Sequence, residues 1–207
     1  NAGEIFLIPG RRREMEDRAG QNVRGLLLRA GTEEFLEKGY RGASVRNICS
    51  RVGVTTGALY FFFRNKRDLL ENIVKGSYEH LLDMLQLSRE RELSDISSSE
   101  RNESEILEYL IHHRKEIKLL FDCAGETKYR DFGKILEKQL QEGFLEFYEK
   151  QRGQQADPEL IRILVKMRMA GYLELIDHDY PLPLAKALVQ KMRIYAESGF
   201  LALLREE

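Results

Sequence analysis

Apolar positions recur at helical spacing along almost the whole of this 207-residue chain. Leu27, Leu28, Phe35 and Leu36 share one face of a segment from Arg24 to Lys38, and Gly39-Tyr40 follows as a glycine stop. Val45, Ile48, Cys49 and Val52 stand at i, i+3, i+4 and i+7, the buried stripe of a short helix that Ser44 is placed to N-cap. Gly53 comes next, where a left-handed residue is favoured, and Val54 is placed to fill the corner. Thr55 is placed to N-cap a second short helix whose Leu59 and Phe63, at i and i+4, point inward. Helices this short cannot bury a core alone, so the first segment supports them and the second helix keeps a free face. The spacing is that of a helix-turn-helix, whose second helix enters the major groove of DNA; the plain alternative is a helical hairpin with a solvated, basic end.

After Lys66 the period resumes through Leu69, Leu70, Ile73, Val74, Ser77, Leu81, Met84 and Leu85, which predicts one helix from Arg67 to Leu87. Ser94 to Glu103 is rich in serine and charge and reads as a loop. Glu103 to Phe121 reads as a single helix carrying Ile106, Leu107, Leu110, Ile111, Ile117 and Leu120, broken at Ala124-Gly125. Another helix spans Lys128 to Gln151. Asp157-Pro158 opens the next, with Asp at the N-cap and Pro at N1, and it runs to Ile176. Pro181 and Pro183 separate it from a last helix holding Leu184, Leu188, Met192, Tyr195, Gly199 and Leu203.

Composition agrees with an all-α protein: charged residues reach 32%, there are four prolines and no tryptophan. No apolar run approaches the ~20 residues that span a membrane, and Ile5-Phe6-Leu7-Ile8 lacks the flanks of a signal peptide. Cys49 and Cys123 show no metal-ligand spacing, which points to a reducing cytoplasm. The net charge of −1 argues against a nucleic-acid partner until its distribution is seen. Residues 1–70 hold 13 Lys and Arg against 8 Asp and Glu, and the remainder holds 20 against 26. A basic head on an acidic body is the electrostatic footprint of a DNA binder. The chain does not begin with methionine; residues 1–17 are expected to be a flexible N-terminal extension, and with Met15 as the natural start Gly3 to Glu14 would be an addition to the chain. Its Arg11-Arg12-Arg13 reads as a solvated tail or as an arm for the minor groove.

The start of the second short helix, Thr56-Gly57-Ala58, is small enough to let backbone and hydroxyl approach base edges. Tyr60, Arg64, Asn65 and Lys66 gather at its end, donors suited to phosphate oxygens. From about Arg24 to Leu70 the chain resembles the TetR-type transcriptional regulators. The resemblance is carried by Ala30, Phe35, Gly39 and Tyr40 (with one extra residue in the first gap), then S-V-R-x-I, then V-G-V-T-T-G-A-L-Y-x-x-F-x-N-K-x-x-L. It covers about a quarter of the chain and spans three helices and both turns. It implies that Arg46, with Ser44 and Val45 beside it, lies where the family reaches a base or phosphate. It also implies that Thr55, Thr56, Gly57 and Ala58 face the groove, and that Tyr60 and Lys66 touch phosphates. Phe62 stands in place of a common histidine, so one phosphate donor is lost or is supplied by Arg64 or Asn65. Cys49 stands in place of a usual alanine and reads as core packing.

The expected architecture is therefore a three-helix helix-turn-helix DNA-binding head, residues 18–66, followed by a larger helical ligand-binding and dimerisation domain, residues 67–207. An aromatic stripe in the latter holds Phe132, Phe144 and Phe147 and serves either as ordinary core or as the lining of a ligand pocket. Phe121 joins that pocket set, and Tyr109, Cys123 and Tyr129 are candidates for its polar share. The resemblance implies that the last two helices pair with their twofold mates; Leu164, Arg168, Gly171, Leu188, Met192, Tyr195 and Gly199 are the expected dimer residues. Glu108 with His112, and Glu174 with His178, stand at i, i+4 but lack the remaining ligands of a di-metal bundle, so no metal or cofactor is expected. No phosphate-cradling loop or nucleophile elbow is present, so no catalytic residue is assigned. The chain reads as a ligand-responsive repressor that binds a pseudo-palindromic double-stranded DNA operator as a homodimer, with an unknown small-molecule effector. The rivals are a helical protein-interaction module and a metal-bound helical enzyme.

Overall fold

The structure is a computed structural model and describes residues 9–95, 98–153 and 155–203. Among these there are nine α-helices and no strand. They are α1 (Pro9–Gly42), α2 (Val45–Val52), α3 (Thr56–Phe62), α4 (Lys66–Ser94), α5 (Ser99–His112), α6 (Arg114–Asp122), α7 (Phe132–Arg152), α8 (Pro158–Asp177) and α9 (Leu182–Leu203). A 3-10 turn, Ala124–Glu126, follows α6. The chain divides into two compact units, residues 1–73 and 74–207, so the first two turns of α4 belong to the first unit. Of the expected N-terminal extension, residues 1–8 lie outside the described residues, and the backbone of 9–17 is part of α1.

In the first unit, Leu27, Phe35, Ile48, Leu59, Phe63, Leu69 and Leu70 form a closed apolar core. α1 leaves helical geometry at Gly39, whose φ of 65° is open to glycine and strained for other residues. Gly53 repeats the device with φ 73°, and its N–H and that of Val54 return to Ser50 and Cys49 carbonyls. Both stops stand where the sequence places them. Thr55 caps α3 by accepting from the Ala58 N–H at 3.3 Å.

In the second unit two expectations give way. The single helix expected over Glu103–Phe121 is two, because His113 adopts φ −109°, ψ 21° and ends α5. That break re-phases the apolar face from Leu107, Leu110 and Ile111 to Ile117, Leu119 and Leu120, so both stretches reach the core. The loop expected over Ser94–Glu103 is short, since α5 starts at Ser99; residues 96–97 lie outside the described residues. Two of the polar residues there, Asn102 and Glu103, are buried rather than solvated. Asn102 is 2% exposed and its amide reaches the Glu92 carboxylate at 3.2 Å, the Ser98 hydroxyl and the Ser88 carbonyl. Two apolar clusters hold the remaining helices. Leu107 and Ile111 pack with Leu175, Ala185 and Val189, and Ile161 and Val165 pack with Leu140, Phe144 and Tyr148.

Candidate functional site

α3 buries Leu59 and, at its C-cap, Phe63, which leaves Thr56, Gly57, Tyr60 and Phe61 on the opposite, exposed face. Tyr60 is 54% and Phe61 82% exposed. Arg64 continues that stripe, and Arg46 is exposed early in α2. Ala58 is half-buried, as are Ser44 and Val45 at the α1–α2 corner. Phe61 belongs to this surface and was not among the expected contacts; the signal for it was present, since it lies at i+4 from Gly57 and i+5 from Thr56. Phe62, at the position of the missing histidine, is half-buried with its ring against Phe61, centroids 5.0 Å apart.

The frame behind this surface is polar. Glu34, 1% exposed on α1, accepts from the Ser44 N–H at 3.1 Å and the Asn47 amide at 3.2 Å, and the Arg51 guanidinium lies 3.1 Å from its other oxygen. That carboxylate ties α1 to α2. It also replaces the expected hydroxyl cap, because Ser44 is the N-cap residue by backbone but its side chain makes no capping bond. Arg51 extends to Glu37, whose carboxyl this hydrogen bond holds below its ordinary range.

At the start of α4, Arg64, Asn65 and Lys66 each make a contact within the unit. Asn65 accepts from the Asp68 N–H at 2.9 Å, a capping contact. Asp68 accepts from the Arg64 N–H at 2.8 Å and the Arg64 guanidinium at 3.3 Å, which holds its carboxyl below the usual range. The Arg64 side chain remains largely exposed. Lys66 points inward: its Nζ donates to the carbonyls of Tyr40 at 2.7 Å and Ala43 at 2.9 Å. Cys49 is buried in the core, and burial pushes its thiol pKa up, which keeps it protonated.

In the second unit the expected pocket residues fall into three groups. Phe121, Tyr129 and Phe132 come together with Tyr78; the Phe121 and Phe132 rings are 5.0 Å apart and the Tyr78 and Tyr129 rings 4.7 Å. Cys123 is buried at the end of α6 near this group in sequence. Tyr109 lies instead between His80 and His113, ring centroids 4.5 and 4.3 Å away. Phe144 belongs to the α7–α8 cluster, under the Arg168 guanidinium, and Phe147 is half-buried on the same helix.

Of the expected dimer residues, Leu164 packs on the cluster of Ala156, Ile161 and Val165, and Leu188 and Met192 pack within their own unit, where the Met192 methyl fills the space beside Gly171. Arg168 donates to Glu103 at 2.9 Å, and the Tyr172 hydroxyl donates to the same carboxylate oxygen at 2.6 Å. Burial raises the Tyr172 phenol pKa, so it is a donor at all ordinary pH. Tyr195 and Gly199 are exposed. Ile163, Met167, Leu184 and Ile194, large apolar side chains on α8 and α9, are exposed with Tyr195. Of the two carboxylate–histidine pairs, Glu108 bonds Lys186 on α9, and Glu174 lies 3.2 Å from His178. Among the described residues no helix is long and apolar enough to cross a membrane.

Residues 27–73 match the family described as bacterial regulatory proteins, tetR family. The HTH-type transcriptional repressor KstR2 of Mycobacterium tuberculosis is 30% identical over 117 residues, 53% of this chain and 56% of that protein. The chain thus spans about half the length of the curated relatives it matches. A transcriptional regulator from Aquifex aeolicus VF5 shares the fold with a TM-score of 0.58 and 24% identity over 84% of this chain and 99% of that one. NalD of Pseudomonas aeruginosa, the secondary repressor of the MexAB-OprM multidrug efflux pump, has a TM-score of 0.54 and 23% identity over 84% of this chain and 96% of that one. The matched segment contains the helix-turn-helix, and the fold of these regulators is shared along most of this chain's length.

Proposed function

We propose that this protein is a ligand-responsive DNA-binding transcriptional regulator, a repressor that binds a pseudo-palindromic operator as a cytoplasmic homodimer. The observation that carries the reading is the exposed stripe of α3. Thr56, Gly57, Tyr60 and Phe61 face away from a core closed by Leu59 and Phe63, beside the exposed guanidiniums of Arg46 and Arg64. Small residues admit the groove floor, the aromatic pair offers apolar and hydroxyl contact to base edges and sugars, and the arginines supply phosphate contacts. The exposed apolar residues of α8 and α9 support the homodimer, because Met167, Ile163, Leu184, Ile194 and Tyr195 together are the kind of surface a second copy covers. The aromatic group of Phe121, Tyr129, Phe132 and Tyr78 is the candidate seat of the effector. Such a ligand relieves repression only by binding the non-DNA state more tightly.

Selection from a pool of random duplexes tests the reading. The expected result is enrichment of an inverted repeat whose half-sites are about one helical turn apart. Its affinity should fall steeply with salt, with log affinity linear in log salt. No enrichment, or binding indifferent to salt, would overturn it and favour the protein-interaction module.

A further inference from the structure

We propose that Phe61 is a specificity-determining residue that reads the C5-methyl group of a thymine in the major groove. The inference rests on the reading given under Proposed function and names one of its base contacts. Phe61 stands two positions after Leu59 and two before Phe63, about 200° of helical rotation from each. Those two side chains are buried, so the Phe61 ring points directly away from the core, at the centre of the exposed face of α3. Gly57 lies one turn earlier on the same face, and a Cβ added there would meet only the Thr55 hydroxyl, at 3.6 Å. The space over Gly57 is therefore open. It forms a shallow apolar notch with bare backbone for a floor and a phenyl ring for a wall.

The ring is braced from behind. Phe61 and Phe62 meet edge to face, with centroids 5.0 Å and planes 88° apart, and the Phe62 ring lies 6.4 Å from that of buried Phe63. A braced ring loses less rotamer freedom on binding than a free one. Phenyl carries no hydrogen-bonding group. The major-groove edges of adenine, guanine and cytosine present donors and acceptors but no alkyl group, and a ring pressed on them would displace water without replacing its hydrogen bonds. Thymine alone adds a methyl group, and burying that methyl against the ring is favourable. Contact with a deoxyribose would be favourable too, but it is the same for every base, so removing the methyl separates the two.

The test uses the full chain and a labelled duplex recovered by selection from random sequence, with fluorescence anisotropy as the readout. Each thymine in turn is replaced by deoxyuridine, which removes the C5-methyl and leaves the hydrogen-bonding edge intact. At one thymine of a half-site the expected affinity is about fourfold weaker, the factor that burial of one methyl group gives. Phe61→Ala should bind the selected duplex several-fold more weakly and bind its thymine and uracil forms equally. Its salt slope and far-UV circular dichroism should match the wild type, because an exposed ring is neither a phosphate ligand nor part of the core. The inference is overturned if no thymine methyl matters to the wild-type chain, or if the methyl effect persists in Phe61→Ala. An effect that persists there and vanishes in Tyr60→Ala would assign the contact to the neighbouring ring instead. If the wild-type chain binds no duplex in a salt-dependent way, the DNA reading falls and this inference with it. Salt-dependent binding without a methyl effect removes this inference alone.

Discussion

Each of the two units buries a carboxylate and answers it with cations, but over different distances along the chain. Glu34 collects Ser44, Asn47 and Arg51, all within 17 positions of it. Glu103 collects Arg168 and Tyr172, 65 and 69 positions away, and Arg193 on α9 lies 3.6 Å from its second oxygen. The first is a corner brace that forms as soon as two neighbouring helices meet. The second closes only when α5, α8 and α9 have all assembled, so it reports on the packing of the whole second unit. A brace of the first type permits a small head to keep its shape; one of the second type makes a larger body cooperative.

The contrast can be broken from either end. Glu103→Ala leaves the guanidiniums of Arg168 and Arg193 and the Tyr172 hydroxyl without their common acceptor. Removing one partner of a buried pair typically costs ~3–5 kcal/mol, and the partial exposure of Arg168 puts the expected loss nearer about 3 kcal/mol. Urea unfolding followed by far-UV circular dichroism measures it, and a loss below about 1 kcal/mol would show that the three-helix closure is not cooperative. Glu34→Ala should cost less, about 2 kcal/mol, because it strands two neutral donors while Arg51 keeps Glu37. Hydrogen exchange should show faster opening at Ser44 and Ile48 with no change at Leu107 or Val189.

A milder perturbation is acid. The Asp68 carboxyl lies below its ordinary range because the Arg64 N–H and guanidinium bond the charged form. Its stabilisation of the head is therefore complete above the unfolded value of ~3.9 and is lost as pH falls through the lower folded value. An Asp68→Asn variant should lose the part of the acid-unfolding limb that begins near pH ~4. An unaltered limb would show that Asp68 contributes nothing to acid stability. The smallest effect on stability belongs to Phe61→Ala, within about 0.5 kcal/mol since the ring is 82% exposed, while affinity for a selected duplex should drop several-fold. Unchanged affinity would remove Phe61 from the DNA-facing surface.

What the sequence revealed follows the same division by distance. Gly39, Gly53, Thr55, Leu59 and Phe63 stand as the pattern predicts because each is decided by neighbours within about one helical turn. Glu34 was hidden beside Glu33, and nothing in the sequence distinguishes the buried carboxylate from its half-buried neighbour. Ser44 illustrates the cost of that gap: its hydroxyl cap was expected, and its N–H turned out to be satisfied by Glu34 instead. Lys66 matched a motif, but a motif does not state which way an ammonium points. α8 and α9 are apolar on more than one side, so period alone could not tell Leu164, Leu188 and Met192, which pack inward, from Ile163, Met167, Leu184 and Ile194, which are exposed. The break at His113 was invisible because both flanking stretches keep a helical period and differ only in phase.

The stripe on α3 carries a consequence for the history of such a protein. Thr56, Gly57, Tyr60 and Phe61 contribute little to the core, and a Cβ added at Gly57 would meet only the Thr55 hydroxyl at 3.6 Å, an ordinary contact. Substitutions along this face are therefore nearly free of folding penalty, while Glu34, Lys66 and the two positive-φ glycines hold the mould behind it. A head built in this way can drift from one target to another through single changes without passing through an unstable intermediate.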